Sequence, residues 1–233
     1  MYKRQILHGT VLGGGFEIAM ACAYRVAKPG TRFGLPEVNM GLIPGAGGTQ
    51  RAPRLLGWDM AIDMACLGQL KTADQLLERG AIDRITAWPV DEVSDFIGRA
   101  FTKTSDRTVD TPIEKPDHIA RIQKFAKGRK SPLHNLDAMS WATEPFSQAQ
   151  PRERALHLEL RNSAESKALR HIFFAERTVS KPAALKGAAS VDFTHIAIVG
   201  GGLMGAGIAT ACLNAGLNVT ICLLYTSPSP RDA

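Results

Sequence analysis

The chain has 233 residues, of which 45% are hydrophobic and 21% are charged. These proportions are those of an ordinary globular protein and exclude wholesale disorder. The formal net charge of +6 is mild, and no basic run is interleaved with aromatic residues, so we expect no nucleic-acid partner. No apolar stretch approaches the ~20 residues that span a bilayer, and the N-terminus does not resemble a signal peptide.

Glycine-rich turns separate the elements predicted for residues 6–104. Periodicity and turn signals predict strands over 24–27 and 82–85, an extended segment over 33–40, and a flexible elbow over 44–48. They also predict helices over 16–22, 49–56, 58–67 and 90–101. A further helix is predicted over 72–79, with Thr72 as its N-cap and Gly80 closing it.

Residues 105–192 have a different character. A polar, proline-containing stretch over 105–117 indicates a linker, residues 118–180 have a helical pattern, and 180–192 indicates a loop. The clearest helix is predicted over 152–177. In residues 195–221 the pattern predicts a buried strand over 195–199, a helix over 206–215 closed by Gly216, and a second strand over 218–221.

The two ends of the chain share an unusual relationship. A codon string for Cys222 to Thr226 has a reverse complement that reads, from a GTG start, as Met-Tyr-Lys-Arg-Gln, which is the sequence of residues 1–5. We therefore expect residues 1–5 and 222–233 to be translated adapter sequence from a transposon-based library. In this interpretation only residues 6–221 are biological, and both ends are truncated.

Two glutamates follow glycine turns. Glu17 comes after three glycines, and Glu37 lies in the string Gly-Leu-Pro-Glu. Two carboxyl groups that face one pocket can divide general acid and general base chemistry between them, and the N–H of Gly14 can approach a ligand oxygen because no Cβ blocks it. From the spacing alone, a helix-start turn with Glu17 as a partner of the helix dipole is the better explanation of the pattern.

The longer strings around these glutamates resemble the enoyl-CoA hydratase (crotonase) family. The resemblance covers about residues 6–104 and rests on the ordered strings 6–17, 24–27 and 33–51. It implies that Glu17 activates water for addition at the β-carbon and that Glu37 delivers or removes the proton at the α-carbon. It also implies that the Gly14 N–H is an oxyanion-hole donor and that the Gly45 backbone helps to hold the catalytic water. In that family the second oxyanion donor and much of the coenzyme A site lie upstream of Ile6.

A second glycine motif lies near the end of the chain. Gly200, Gly202 and Gly205 form a GxGxxG fingerprint between a predicted strand and a predicted helix, which is the context that dinucleotide binding requires. The acid that would bind the ribose hydroxyls is expected about 20 residues further on. Residues 223–225 contain no acid, so the choice between NAD and NADP stays open.

Residues 195–221 resemble the start of the 3-hydroxyacyl-CoA dehydrogenases, and residues 163–177 are similar to the connector that precedes them in bifunctional hydratase–dehydrogenases of fatty-acid β-oxidation. The resemblance implies that Met204 lines an NAD cleft, and that the dehydrogenase's catalytic histidine and glutamate lie downstream, so His195 is not that histidine. It implies an α/β fold: the C-terminal half of a crotonase-like ββα spiral (6–104), a helical linker (105–192), and the first βαβ of a Rossmann domain (193–221).

The resemblance implies two consecutive reactions. Water adds to a trans-2-enoyl-CoA, and the resulting 3-hydroxyacyl-CoA is oxidised with NAD. It also implies an acyl-CoA substrate, a thiolase partner subunit and a cytoplasmic location in a bacterium. Two alternatives stay open: an isomerase-only crotonase, and a catalytically incomplete fragment that binds acyl-CoA or nucleotide weakly. The four scattered cysteines and the other histidines have no metal-like spacing, so we expect no metal site.

Overall fold

The computed structural model describes residues 4–96, 98–109, 116–179, 187 and 191–223. Contacts divide the chain into two compact units, Met1–Ser180 and Lys181–Ala233. The loop predicted over 180–192 lies mostly outside the described residues, as does the tail from residue 224 onward. No described helix has the length and apolar character needed to cross a membrane.

Among the described residues of the first unit, six short strands form two sheets. The first sheet has the order β1, β3, β6, and its strands Arg4–Leu7 (β1), Tyr24–Ala27 (β3) and Arg84–Ile85 (β6) are parallel. The second has the order β2, β4, β5, with Thr10–Leu12 (β2) parallel to Arg32–Gly34 (β4), and Lys71–Thr72 (β5) antiparallel to β4.

Helices follow and cover these strands. Their bounds are Gly14–Ala21 (α1), Gly48–Leu56 (α2), Trp58–Ala65 (α3), Ala73–Glu78 (α4), Pro89–Glu92 (α5), Pro116–Ala126 (α6), Ser131–Ser140 (α7), Phe146–Asn162 (α8) and Ala164–Val179 (α9). Short 3-10 helices span Pro36–Met40, Val93–Phe96, Thr104–Asp106 and Trp141–Thr143. The predicted cap of α4 is present as a capping box, in which Thr72 and Gln75 each satisfy the other's backbone N–H.

Several predicted elements of the first unit differ from the structure, and the strand predicted over 82–85 is shortened to Arg84–Ile85. Residues 36–40 form a 3-10 helix rather than an extended segment, because Pro36 is preset for the first helical position and Gly41, at φ +69°, ends the turn. The helix predicted over 90–101 ends early, and Gly98 lies in the left-handed region. The helix predicted over 152–177 is two helices, because Ser163 is extended and its hydroxyl accepts a hydrogen bond from the N–H of Ser166 at the start of α9.

The core of the first unit lies between the sheets and α1–α3. Phe16 and Met20 of α1 are fully buried beside Phe33 of β4, with the Phe16 and Phe33 rings 5.3 Å apart. Helices α7 and α8 pack against α2, so the segment predicted to be a linker covers the helix that follows the glycine elbow. This packing places side chains from α8 against that elbow.

The second unit contains His195–Val199 (β7), Leu203–Asn214 (α10) and Asn218–Cys222 (β8). β7 and β8 pair in parallel, and α10 packs against both. This is the βαβ arrangement that the sequence predicts, although α10 begins three residues earlier than predicted because Gly202 already serves as its N-cap.

Candidate active site

Parallel pairing brings the two predicted catalytic glutamates to the same edge of a sheet. Leu12 at the end of β2 is paired with Gly34 at the end of β4, and the N–H of Gly13 bonds to the carbonyl of Gly34. α1 begins directly after β2 and carries Glu17, while the 3-10 helix after β4 carries Glu37. The carboxyl ends of neighbouring parallel strands meet at one edge, so the two side chains are delivered to one place.

Glu17 is buried and held by backbone donors of the glycine elbow. Its Oε1 accepts hydrogen bonds from the N–H of Ala46 at 2.7 Å and of Gly48 at 2.8 Å. A Cβ on Gly48 would lie 2.8 Å from the same oxygen, so the elbow approaches Glu17 only because residue 48 is glycine. With Oε1 engaged, Oε2 is the oxygen left to meet a water.

Glu37 is buried beside the turn that starts α1. Its Oε1 would lie 2.8 Å from a Cβ on Gly13, and its Oε2 has no hydrogen-bond partner within the described residues. Burial raises the pKa of Glu37 to about 7, its own backbone N–H lowers the pKa, and the charges of Glu17 and Glu153 raise it further. A carboxyl that keeps its proton near neutrality can act as a general acid.

The two glycines predicted for this site have different surroundings. Gly14 is the first residue of α1 and is exposed, so its N–H is among the donors without a partner inside the helix. A Cβ on Gly14 would meet nothing within 4 Å, so the space around that N–H is open to a ligand. Gly45 is buried in the elbow, where a Cβ would lie 2.5 Å from Cγ of His157.

The residues around the elbow include several that sequence reasoning missed. Glu153 on α8 is fully buried and accepts hydrogen bonds from the N–H of Gly47 at 2.6 Å, from the N–H of Thr49 at 2.9 Å and from the Thr49 hydroxyl. Arg51 donates to the carbonyl of Ala46 at 2.7 Å. The sequence around Glu153 gives no indication of a role at this site, because a charged residue in a helix is common. Only the fold brings residue 153 close to residue 47.

The glycine fingerprint of the second unit has the geometry that a dinucleotide turn requires. Gly200 has φ +106°, in the left-handed region, and a Cβ on Gly205 would lie 2.0 Å from the carbonyl oxygen of Gly200. Nothing lies within 4 Å of a Cβ position on Gly202, so a phosphate could approach its backbone at the N-terminus of α10. Met204, predicted to line the cleft, lies in the first turn of α10 and is 76% exposed.

Comparison with known families finds a match for each of the two segments. Residues 6–107 match the enoyl-CoA hydratase/isomerase family, and residues 195–227 match the 3-hydroxyacyl-CoA dehydrogenase NAD-binding domain. A protein of Streptomyces avermitilis assigned as an enoyl-CoA hydratase has the same fold, with a TM-score of 0.50 at 20% identity over 81% of this chain and 62% of that one. The first unit is thus part of a crotonase fold, which confirms the predicted fold class.

The chain is therefore similar to two families, one in each of these segments. In this combination it is similar to the "Peroxisomal bifunctional enzyme" of Danio rerio, with 35% identity over 91% of this chain. It is also similar to the "Glyoxysomal fatty acid beta-oxidation multifunctional protein MFP-a" of Brassica napus, with 33% identity over 92% of this chain.

The chain spans about a third of the length of these curated relatives, 32% of each. Their names place them in peroxisomes and glyoxysomes rather than in bacteria. The expectation of a bacterial cytoplasmic protein is therefore not supported.

Proposed function

We propose that the protein containing this chain hydrates 2-enoyl-CoA thioesters and oxidises the 3-hydroxyacyl-CoA products with NAD. The two family segments stand in the order of those two reactions, since the hydratase/isomerase segment precedes the NAD-binding segment. The product of the first reaction is the substrate of the second, so holding both sites on one chain raises the local concentration of the intermediate.

The pairing of Glu17 with Glu37 is the observation that carries the hydratase proposal. Glu17 uses Oε1 to bind the elbow and can use Oε2 to take a proton from water as the water oxygen bonds to the β-carbon. Glu37, with a pKa of about 7, can give its proton to the α-carbon. The Gly14 N–H can stabilise the enolate oxygen that develops between these two events.

The oxidation step is supported by the turn that follows β7. Gly200, Gly202 and Gly205 would place the pyrophosphate of NAD at the N-terminus of α10, and NAD would accept the hydride from the hydroxyl-bearing carbon. Met204, in the first turn of α10, would lie beside the cofactor. The thiolase partner that the resemblance implies remains a prediction.

The test replaces each glutamate by glutamine in the full-length protein. Glu17→Gln and Glu37→Gln should each lower kcat for crotonyl-CoA hydration by ~10²–10⁴, because each removes one proton-transfer group. Thermal unfolding should show that both variants remain folded. Hydration at near wild-type rates by either variant would refute the assigned roles. If 3-enoyl-CoA is isomerised by a wild-type protein that does not hydrate crotonyl-CoA, the isomerase-only alternative is correct.

A further inference from the structure

Glu153 is a buried acid outside the pair of glutamates assigned to the reaction. It lies in the middle of α8 with no exposed surface, and its partners are the N–H of Gly47, the N–H of Thr49 and the Thr49 hydroxyl. Taking a carboxylate out of water is costly unless donors replace the lost hydration, and here three donors do so. The site therefore holds this side chain in one position.

The donors that hold Glu153 alternate along the chain with the donors that hold Glu17. The N–H groups of Ala46 and Gly48 point to Glu17, and those of Gly47 and Thr49 point to Glu153. Four consecutive amides, from Ala46 to Thr49 at the start of α2, are thus divided alternately between two carboxyl groups. Any shift of that segment away from Glu153 also moves the two amides that hold Glu17.

A second residue of α8 fixes the other end of the elbow. His157 follows Glu153 by one helical turn, and its Nδ1 lies 2.6 Å from the carbonyl oxygen of Ile43. Its ring also lies against Gly45, where there is no room for a Cβ. Glu153 and His157 together attach α8 to both ends of the segment from Ile43 to Thr49.

Charge links Glu153 to the reaction as well. Burial raises the pKa of Glu153 to about 7, the hydrogen bonds from Thr49 and Gly47 lower it, and the charge of Glu17 raises it. The charge of Glu153 in turn raises the pKa of Glu37. Arg51 is a cation near this group: burial chiefly lowers the pKa of its guanidinium, and the charges of Glu153 and Glu17 raise it.

We propose that Glu153 is a positioning residue for the hydration step: it holds the elbow so that the amides of Ala46 and Gly48 orient Glu17 toward the reacting water. The proposal rests on the proposed function for the kinetic part of its test. Glu153 touches neither substrate nor water in this role, and it acts only through the backbone of residues 46–49.

The kinetic test uses Glu153→Gln in the full-length protein, with Glu159→Gln as the matched control, because Glu159 is an exposed acid on the same helix. Glutamine has the same shape but presents an NH₂ group to one of the N–H donors. We expect kcat for crotonyl-CoA hydration to fall ~10²-fold, which is the scale of an ~1 Å misplacement, with KM within about twofold. Oxidation of 3-hydroxybutyryl-CoA and both activities of Glu159→Gln should be unchanged.

The pH profile separates the charge of Glu153 from its position. Removing its charge in Glu153→Gln lowers the pKa of Glu37, so the pH at which activity is lost through ionisation of Glu37 should move down. Glu153→Asp keeps the charge but is one methylene shorter. We therefore expect kcat to fall in this variant while the pH at which activity is lost stays as in wild type. A kcat and a pH profile equal to wild type in Glu153→Gln would overturn the proposal and leave Glu153 as a helix cap.

Amide hydrogen exchange tests the coupling between Glu153 and the amides of Ala46 and Gly48 without an activity assay. In the 233-residue chain, Glu153→Gln should speed exchange of the Ala46 and Gly48 amides at least tenfold, although neither amide bonds to Glu153. Unchanged exchange would overturn the positioning role even if the protein has no hydratase activity. If Glu153→Gln does not fold, Thr49→Val, which removes one donor to Glu153 and keeps the side-chain shape, should produce the same faster exchange.

Discussion

At the scale of single residues, the site concentrates negative charge in a buried place. Glu17, Glu37 and Glu153 are all buried; the charge of Glu17 raises the pKa of the other two, and the charge of Glu153 raises the pKa of Glu37. Arg51 is the nearby guanidinium that offsets part of this charge. Because burial disfavours the charged form of a carboxyl and the neighbouring negative charges add to this effect, Glu37 and Glu153 retain protons at pH values where an exposed glutamate would have lost them.

This retention predicts that stability falls as the pH rises. Glu37 and Glu153 have pKa values of about 7 in the folded chain against about 4.5 when exposed, so the folded state binds more protons than the unfolded state between those values. The free energy of unfolding should therefore decrease from pH 5 to pH 8, by on the order of 2–3 kcal/mol for each carboxyl.

The measurement is urea unfolding of the wild-type chain, Glu37→Gln and Glu159→Gln at pH 5 and pH 8. Glu37→Gln lacks one of the two titrating groups, so its loss of stability over this range should be smaller than that of wild type. Glu159 is exposed, and its variant should behave as wild type does. An equal pH dependence in Glu37→Gln and wild type would contradict the raised pKa of Glu37.

At the scale of elements, helix N-termini organise both candidate sites. Glu17 and Glu153 share the first donors of α2, and the exposed N–H of Gly14 begins α1. The N-terminus of α10 would receive the phosphates of NAD. In each case the unpaired N–H groups and the dipole of the helix favour a negative group at the same point.

Two glycines of α10 offer a matched test of the second site. Gly205→Ala would place a methyl group 2.0 Å from the carbonyl oxygen of Gly200, so the turn and the helix would have to separate. Gly207 lies one half-turn further along the same helix, and a Cβ there meets nothing within 4 Å. Alanine at position 207 should instead stabilise the helix by about 1 kcal/mol.

NADH fluorescence titration of the full-length protein measures the difference. We expect Gly205→Ala to weaken binding at least tenfold and Gly207→Ala to bind as wild type does. Equal affinities for the two variants would show that the close approach of Gly205 to the carbonyl of Gly200 does not shape the cofactor site.

At the scale of the whole molecule, the two units differ in how much apolar surface they bury. The first unit contains an extensive buried cluster that includes Phe16, Phe33 and Met64. Among the described residues of the second unit, only Ile198 and Ala209 are buried apolar residues, while Leu203 and Leu213 are exposed. Because apolar burial is the main favourable contribution to folding, the second unit should be the less stable of the two.

Hydrogen exchange on the 233-residue chain tests this difference. Amides of β1 and β3 should exchange slowly, and those of β7, β8 and α10 should exchange at least 100-fold faster, although all of these elements are regular. Comparable protection in the two units would contradict the expectation.

The sequence by itself determined the class of protein, the order of its two segments, helices α1 to α4 and strand β3, but it did not predict β1, β2 or β5. The predicted elements could be identified because their signals are local: glycine turns, the Thr72 cap and the periodicity of the apolar residues. Each signal depends only on residues that are close together in the sequence. The same is true of the βαβ turn at Gly200. At Ser163 the apolar periodicity continues while the backbone is extended. The prediction from periodicity therefore joined α8 and α9 into one helix, whereas the structure has two.

Only the tertiary structure decided how the acids are arranged. Glu17 and Glu37 meet because β2 and β4 pair in parallel, and Glu153 reaches Gly47 across 106 positions in sequence because α8 packs on α2. A buried charge on a helix has no periodic signature, and its pKa depends on neighbours that the chain supplies from distant segments. Burial and long-range proximity are properties of the packed molecule, which is why the third carboxyl and the division of the α2 amides could not be predicted from the residues alone.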